Sequence, residues 1–189
     1  AFATFAVLHI QLSHFATFDV LLTFFVILTL YGAARVMEKG DALGGALVGV
    51  GLGLGLATKV SIIPLVAPIG MAYFLYAFFP EGSRVAQPVL ASARLRGALR
   101  SLALALGLGL ALFVVAQPYA LLDLGAFLRD TREQSEMALR IRDLPYTRQY
   151  VDTPPYLYHI QQLAAWGLGW PLGLVAWLGL GFTVLRGWI

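Results

Sequence analysis

The sequence predicts an all-α fold, a polytopic transmembrane helical bundle with one long external polar loop, and three observations carry that prediction. Hydrophobic residues make up 59% of the chain and charged residues only 12%, against roughly 25% charged in a soluble domain, and the mean hydropathy is +0.78. The apolar residues fall in repeated runs of near membrane length, with 20 Gly and 12 Phe spread through them, whereas the strands of a membrane barrel alternate polar and apolar residues. The polar residues concentrate in one stretch, 117–158, where five arginines and six carboxylates lie between hydrophobic runs. One membrane domain is therefore expected: helices over 1–116, a polar loop over 117–158 and a further membrane helix over 159–189. The absence of Cys excludes disulfides, thiolate ligands and a cysteine nucleophile, and with a net charge of only +3 no nucleic-acid partner is expected.

The first residues, 1–12, are apolar but too short for a span of about 20 residues, and they lack the basic flank and small-residue cleavage site of a signal peptide. They read as the trailing half of a cut helix, so the chain is expected to be an internal piece of a longer protein. Residues 20–36 form the first complete span, with Asp19 before it and Arg35, Glu38, Lys39 and Asp41 after it. A glycine-rich run over 42–57 and an apolar run over 62–79, separated by the short ATKVS turn, predict a helical hairpin. Residues 80–100, with Arg84, Arg94, Arg96 and Arg100 against a lone Glu81, read as a connector, and 102–116 returns across the membrane. Within the polar stretch, 123–142 predicts an amphipathic surface helix: Leu124, Phe127 and Leu128 start its apolar stripe while Arg129, Arg132, Glu133 and Glu136 face water. Residues 166–185 cross once more.

Cations in short loops mark the cytoplasmic side. The 35–41 and 84–100 segments and Arg186 share that side, which places Asp19, Lys59 and the 117–158 loop on the opposite, external face.

The run GGALVGVGLGLGLATK contains a GxG, but a phosphate-binding loop needs a preceding strand and a Lys followed by Ser or Thr, and Lys59 is followed by Val60. No nucleotide site is expected there. Gly45, Gly49, Gly53 and Ala57 instead recur every four residues, the spacing that lets a neighbouring membrane helix approach closely, and Ala103, Gly107 and Ala111 repeat the device. Two roles fit Asp19. It can cap a helix N-terminus, or, at the mouth of a bundle with His14 nearby, it can bind a divalent cation or take a proton from an attacking hydroxyl.

The segment His14-Phe15-Ala16-Thr17-Phe18-Asp19, the GLATK of 55–59 and the sequence PYTRQYVDTPPYLYHIQQLAAWGLGWPLGL of 145–174 together resemble GT-C glycosyltransferases of family 39. That family includes dolichyl-phosphate-mannose protein mannosyltransferases and bacterial aminoarabinose lipid A transferases. The resemblance implies an enzyme of the bacterial cytoplasmic membrane that moves a sugar from a polyprenyl-phosphate carrier to an acceptor on the external face, with the bilayer and that donor as partners. It implies that Asp19 matches the second acidic position of the family, binding metal or orienting the acceptor, and that Lys59 neutralises the carrier phosphate; a snorkelling lysine fits Lys59 equally. Arg148 is a candidate for bidentate phosphate contact or for pairing with Asp143 or Asp152. Tyr146, Tyr150, Tyr156 and Tyr158 suit stacking on a sugar or an interfacial belt. The family's principal catalytic carboxylate lies in its first external loop, which this chain does not contain, so the chain alone is expected to be inactive.

A second class of function stays open: a non-catalytic membrane subunit packed by its small-residue helices within a larger assembly, such as an electron-transfer complex, with other membrane subunits as partners. No haem or iron–sulfur site is expected, since cysteines are absent and His9 and His14 are five apart, off the i, i+4 spacing that would stack them. A transporter ranks last, because no ionisable residue falls at mid-membrane.

Overall fold

The structure is a computed structural model that describes residues 10, 14, 17–79, 88–138, 141, 145, 148, 152–154 and 157–187. It divides into two compact units, Leu21–Arg132 and a second made of Ala1–Val20 with Glu133–Ile189. Every regular element among the described residues is helical.

Helix α1 spans Phe18–Lys39, about 33 Å at 1.5 Å per residue and enough to cross a hydrocarbon core of ~30 Å. It ends where Gly40 takes φ +59 and its N–H reaches back to Val36 O at 2.8 Å, a left-handed C-cap that glycine adopts without a Cβ penalty. Asp41 then caps α2 (Ala42–Thr58), its Oδ1 accepting from the Gly44 N–H at 2.9 Å. The turn between the two helices is therefore only Gly40 and Asp41.

Helix α2 is the centre of the Leu21–Arg132 unit, and glycines line both of its faces. On one face Gly44, Val48, Gly51 and Gly55 meet Val36, Gly32, Thr29 and Phe25 of α1, running antiparallel. On the other face Gly45, Gly49 and Gly53 meet Ser101, Ala105 and Gly109 of α4 (Pro88–Ala116), running parallel. Without a hydrophobic force between helices in lipid, close van der Waals contact across small residues is what holds such helices together. The Ala103, Gly107 and Ala111 stripe does not take part in this contact: all three are exposed, and nothing lies within 4 Å of the place a Cβ on Gly107 would occupy.

Three other expectations need correction. The 80–100 segment is no mere connector, because α4 starts at Pro88 and carries Arg94, Arg96 and Arg100 within it. Pro suits a first helical position, and Arg, Leu and Ala are good helix formers with no further Pro until Pro118. The 62–79 run is not a single α-helix. It opens as a 3-10 helix, Val60–Leu65, and becomes α3 only over Val66–Phe78, because Pro64 has no N–H to give and Pro68 fits only a first turn. The last span begins at Trp170, not at 166: a π-turn over Leu163–Gly167 and Gly169 at φ +79 precede α8 (Trp170–Gly187).

The polar stretch is largely helical where it is described. A short α5 (Tyr119–Leu122) leads into α6 (Leu124–Ala138), whose N-terminus is capped by Asp123 Oδ1 on the Ala126 N–H at 2.9 Å. Phe127 packs edge-on against Phe113 of α4, centroids 6.3 Å apart, while Leu124 and Leu128 are exposed. Glu133 and Glu136 are half-buried instead of facing water as expected, and Arg129 and Arg132 are exposed. In the other unit α7 (Leu157–Gln162) runs into the π-turn, and Gly173 of α8 lies against the backbone of Ala164.

Three stretches, Phe18–Lys39, Val60–Phe78 and Ser92–Ala116, are long and apolar enough to cross a membrane, and Ala42–Thr58 and Trp170–Arg186 are shorter apolar helices. Only 17–28% of each long span is buried within the protein. So much outward apolar surface, including Phe24, Ile27, Leu106 and Leu110, is stable against lipid and not against water.

Candidate functional site

Asp19 sits in the first turn of α1 and is half-buried. This is the position where the exposed N–H groups and the helix dipole favour an anion. His14 lies five residues earlier and is exposed, and Arg148, in the same unit, is exposed as well. Lys59 belongs to the Leu21–Arg132 unit. It takes an extended conformation, φ −161 and ψ 124, between α2 and the 3-10 turn, and its N–H closes α2 onto Gly55 O at 2.8 Å. Its exposed side chain is thereby presented at the end of the hairpin. Tyr146, Tyr150 and Tyr156 lie outside the described residues. Among the described residues no group of three or more His, Cys, Asp or Glu gathers to hold a metal ion.

The opposite end of the Leu21–Arg132 unit holds a polar interlock that charge counting along the sequence misses. Arg35 donates to both oxygens of Asp41, Nε to Oδ1 at 3.1 Å and Nη2 to Oδ2 at 2.5 Å. Those bonds, and next the Gly44 amide, hold the Asp41 carboxyl below the usual carboxylate range. Ser101, 2% exposed, donates to Asp41 O at 3.0 Å and lies 3.3 Å from the Tyr73 hydroxyl. Arg94 lies over the Tyr76 ring, 4.4 Å from its centroid, and donates from Nε to Tyr76 O at 2.9 Å. The Tyr76 ring in turn fills the space a side chain on Gly40 would need. Helices α1, α2, α3 and α4 are tied at this end. The sequence signal available was Asp41 directly before an apolar run, the pattern of an N-cap; nothing in the spacing of Tyr76 and Arg94 announces their stacking.

The fold and these polar helix ends define a polytopic α-helical membrane protein whose ionisable side chains stand at the ends of its spans. A family model described as dolichyl-phosphate-mannose-protein mannosyltransferase matches residues 1–119, more than half of the 189 residues. The chain belongs to that family of membrane glycosyltransferases. The matched stretch contains His14, Asp19 and Lys59, and ends before Arg148 and the tyrosines. No curated protein and no solved structure matches the chain.

Proposed function

We propose that this chain is part of an enzyme that moves a sugar from a polyprenyl-phosphate carrier to an acceptor on the external face of the bacterial cytoplasmic membrane. The observation that carries the reading is that the family match spans the helices whose ends bear Asp19 and Lys59. Sidedness supports it. The end of the Leu21–Arg132 unit formed by the α1 C-terminus and the first turns of α4 carries Arg35, Lys39, Arg94, Arg96 and Arg100, and the α2–α3 turn carries Lys59 alone. By the rule that cations in short loops face the cytoplasm, the cation-rich end is read as cytoplasmic and the Lys59 end as external.

In this reading the acceptor hydroxyl attacks the anomeric carbon as the carbon–oxygen bond to the carrier phosphate breaks. Asp19 receives the hydroxyl hydrogen bond and orients the attack, His14 being the nearby group that can pass the proton on. By the resemblance, balancing the charge that returns to the polyprenyl phosphate as it leaves falls to Lys59 or to Arg148, and Tyr146, Tyr150 and Tyr156 are the residues assigned to the sugar. A divalent cation, with Asp19 lending one carboxylate, belongs to the same reading, and no step above depends on it.

The test is sugar transfer by the intact gene product in membranes, from a labelled polyprenyl-phosphate sugar. Asp19→Asn is expected to lower kcat by about 10²-fold or more, the scale of lost acid–base assistance, and Lys59→Met to raise KM for the donor. Wild-type kinetics in both variants would overturn the assignment.

A further inference from the structure

We infer that Arg96 and Arg100 bind the phosphate of an anionic phospholipid in the leaflet at the Arg35–Asp41 end of the bundle. The two residues are exposed and one turn apart on α4, at i and i+4, so their guanidinium groups share one face. Among the described residues, the other arginines at this end are committed elsewhere, Arg35 to Asp41 and Arg94 to the ring and carbonyl of Tyr76. Among the described residues neither Arg96 nor Arg100 has an ion-pair partner. Beside them Leu95 and Leu99, 43% and 55% exposed, form a parallel apolar ridge. Two adjoining ridges, one apolar and one cationic, match the acyl-glycerol and phosphate parts of a phospholipid.

Depth makes the match specific. The apolar part of α4 ends at Ala116, where Gln117 follows. At 1.5 Å per residue, Arg96 lies about 30 Å and Arg100 about 24 Å along the helix from Ala116, against a hydrocarbon core of ~30 Å. With Ala116 at one boundary, Arg96 stands at the other and Arg100 one turn inside it. Side chains on a helix lean toward its N-terminus, here toward the headgroups, so Arg100 snorkels to the level of Arg96. At that level the abundant anion is the lipid phosphate, and a guanidinium contacts it bidentately. An anionic headgroup, unlike a zwitterionic one, brings no cation of its own to compete for that phosphate.

The experiment is native mass spectrometry of the intact purified protein, titrated with phosphatidylglycerol or phosphatidylcholine, for wild type, R96Q, R100Q and R96Q/R100Q. Wild type is expected to prefer phosphatidylglycerol. The double variant should bind it roughly 30-fold more weakly, as two arginines at an anionic surface predict, with phosphatidylcholine binding unchanged. The single variants, each about fivefold weaker, carry the test should the double variant not fold. Inorganic phosphate alone should not compete, since the ridge of Leu95 and Leu99 offers it nothing. Undiminished phosphatidylglycerol binding in R96Q/R100Q overturns the inference, and so does full competition by inorganic phosphate, which would make this a site for a free anion.

Discussion

The same substitution, glycine to alanine, is expected to have opposite effects at Gly49 and Gly107, although both lie in runs of small residues spaced by four. A Cβ on Gly49 would lie 2.7 Å from Ala105 O, 3.1 Å from Ala105 Cα and 3.2 Å from Leu108 Cβ. The nearest neighbours are backbone and cannot rotate away, so α2 and α4 must separate by about 0.7 Å to turn 2.7 Å into an ordinary contact of 3.4 Å. Such overpacking costs typically 1–3 kcal/mol, and alanine's better helix propensity returns about 1 kcal/mol. The net loss for G49A is about 0–2 kcal/mol, and for G49A/G53A, where Gly53 faces the backbone of Gly109, about twice that. At Gly107 the Cβ meets nothing within 4 Å, so only the propensity term of up to about 1 kcal/mol remains and G107A is expected to be neutral or stabilising. Thermal unfolding in one detergent, followed by size-exclusion chromatography of the intact protein, ranks the variants. If G107A proves as destabilising as G49A/G53A, or G49A/G53A unfolds with wild type, the packing described between α2 and α4 is wrong.

Gly40→Ala should destabilise by roughly 2–4 kcal/mol, combining left-handed strain at φ +59 with displacement of the Tyr76 ring, and the same unfolding assay reads it. The Asp41 carboxyl is held below its ordinary value by Arg35, so its contribution is complete above the unfolded value of about 3.9 and is lost as pH falls through the lower folded value. The Tm difference between wild type and Asp41→Asn should therefore be constant at neutral pH and shrink only below about pH 4; a difference that vanishes already near neutrality contradicts the Arg35–Asp41 pairing. Cysteines introduced at Lys59 and Arg96 should label with an impermeant thiol reagent from opposite sides of sealed vesicles, and labelling from one side alone contradicts the orientation.

The helical class and the first spans were legible because charge cannot stay in lipid. Asp19 and Arg35 bracket the first apolar run, and the observed α1, Phe18–Lys39, exceeds the expected 20–36 by a few residues at each end. The same logic misleads at α4, whose arginines suggest a loop: an arginine three or four turns from a boundary is excluded from lipid, but one near it only has to lean outward, and the helix continues. The register of α4 was not legible at all. Its two small-residue stripes, 101, 105, 109 and 103, 107, 111, are equivalent by spacing, and the choice between them rests on Ser101. Its hydroxyl bonds to Asp41 O and lies beside the Tyr73 hydroxyl, contacts 60 and 28 residues distant in sequence. The break before α8 could have been foreseen, since Gly167, Gly169 and Pro171 stand together and such clusters end helices.

The distribution of polar ties in the Leu21–Arg132 unit separates what holds the fold from what is offered to a substrate. Arg35, Asp41, Ser101, Tyr73, Tyr76 and Arg94 lock four helices at one end. Toward the other end α2 meets α1 and α4 through small residues, Gly51 on Thr29 and Gly53 on Gly109, with Gly55 against Ile62 of the 3-10 turn. Lys59 follows directly, and its backbone N–H closes α2 onto Gly55 O. Arg35 and Arg94 are engaged in ties between helices, so their replacement is expected to loosen the bundle, whereas no helix-to-helix tie of that kind runs through the α2 cap at Lys59, which is made by its backbone N–H. Loss of stability is therefore the expected signature of the locked end and loss of transfer that of the Lys59 end, and a variant of Lys59 that unfolded the protein would assign that residue to the fold instead.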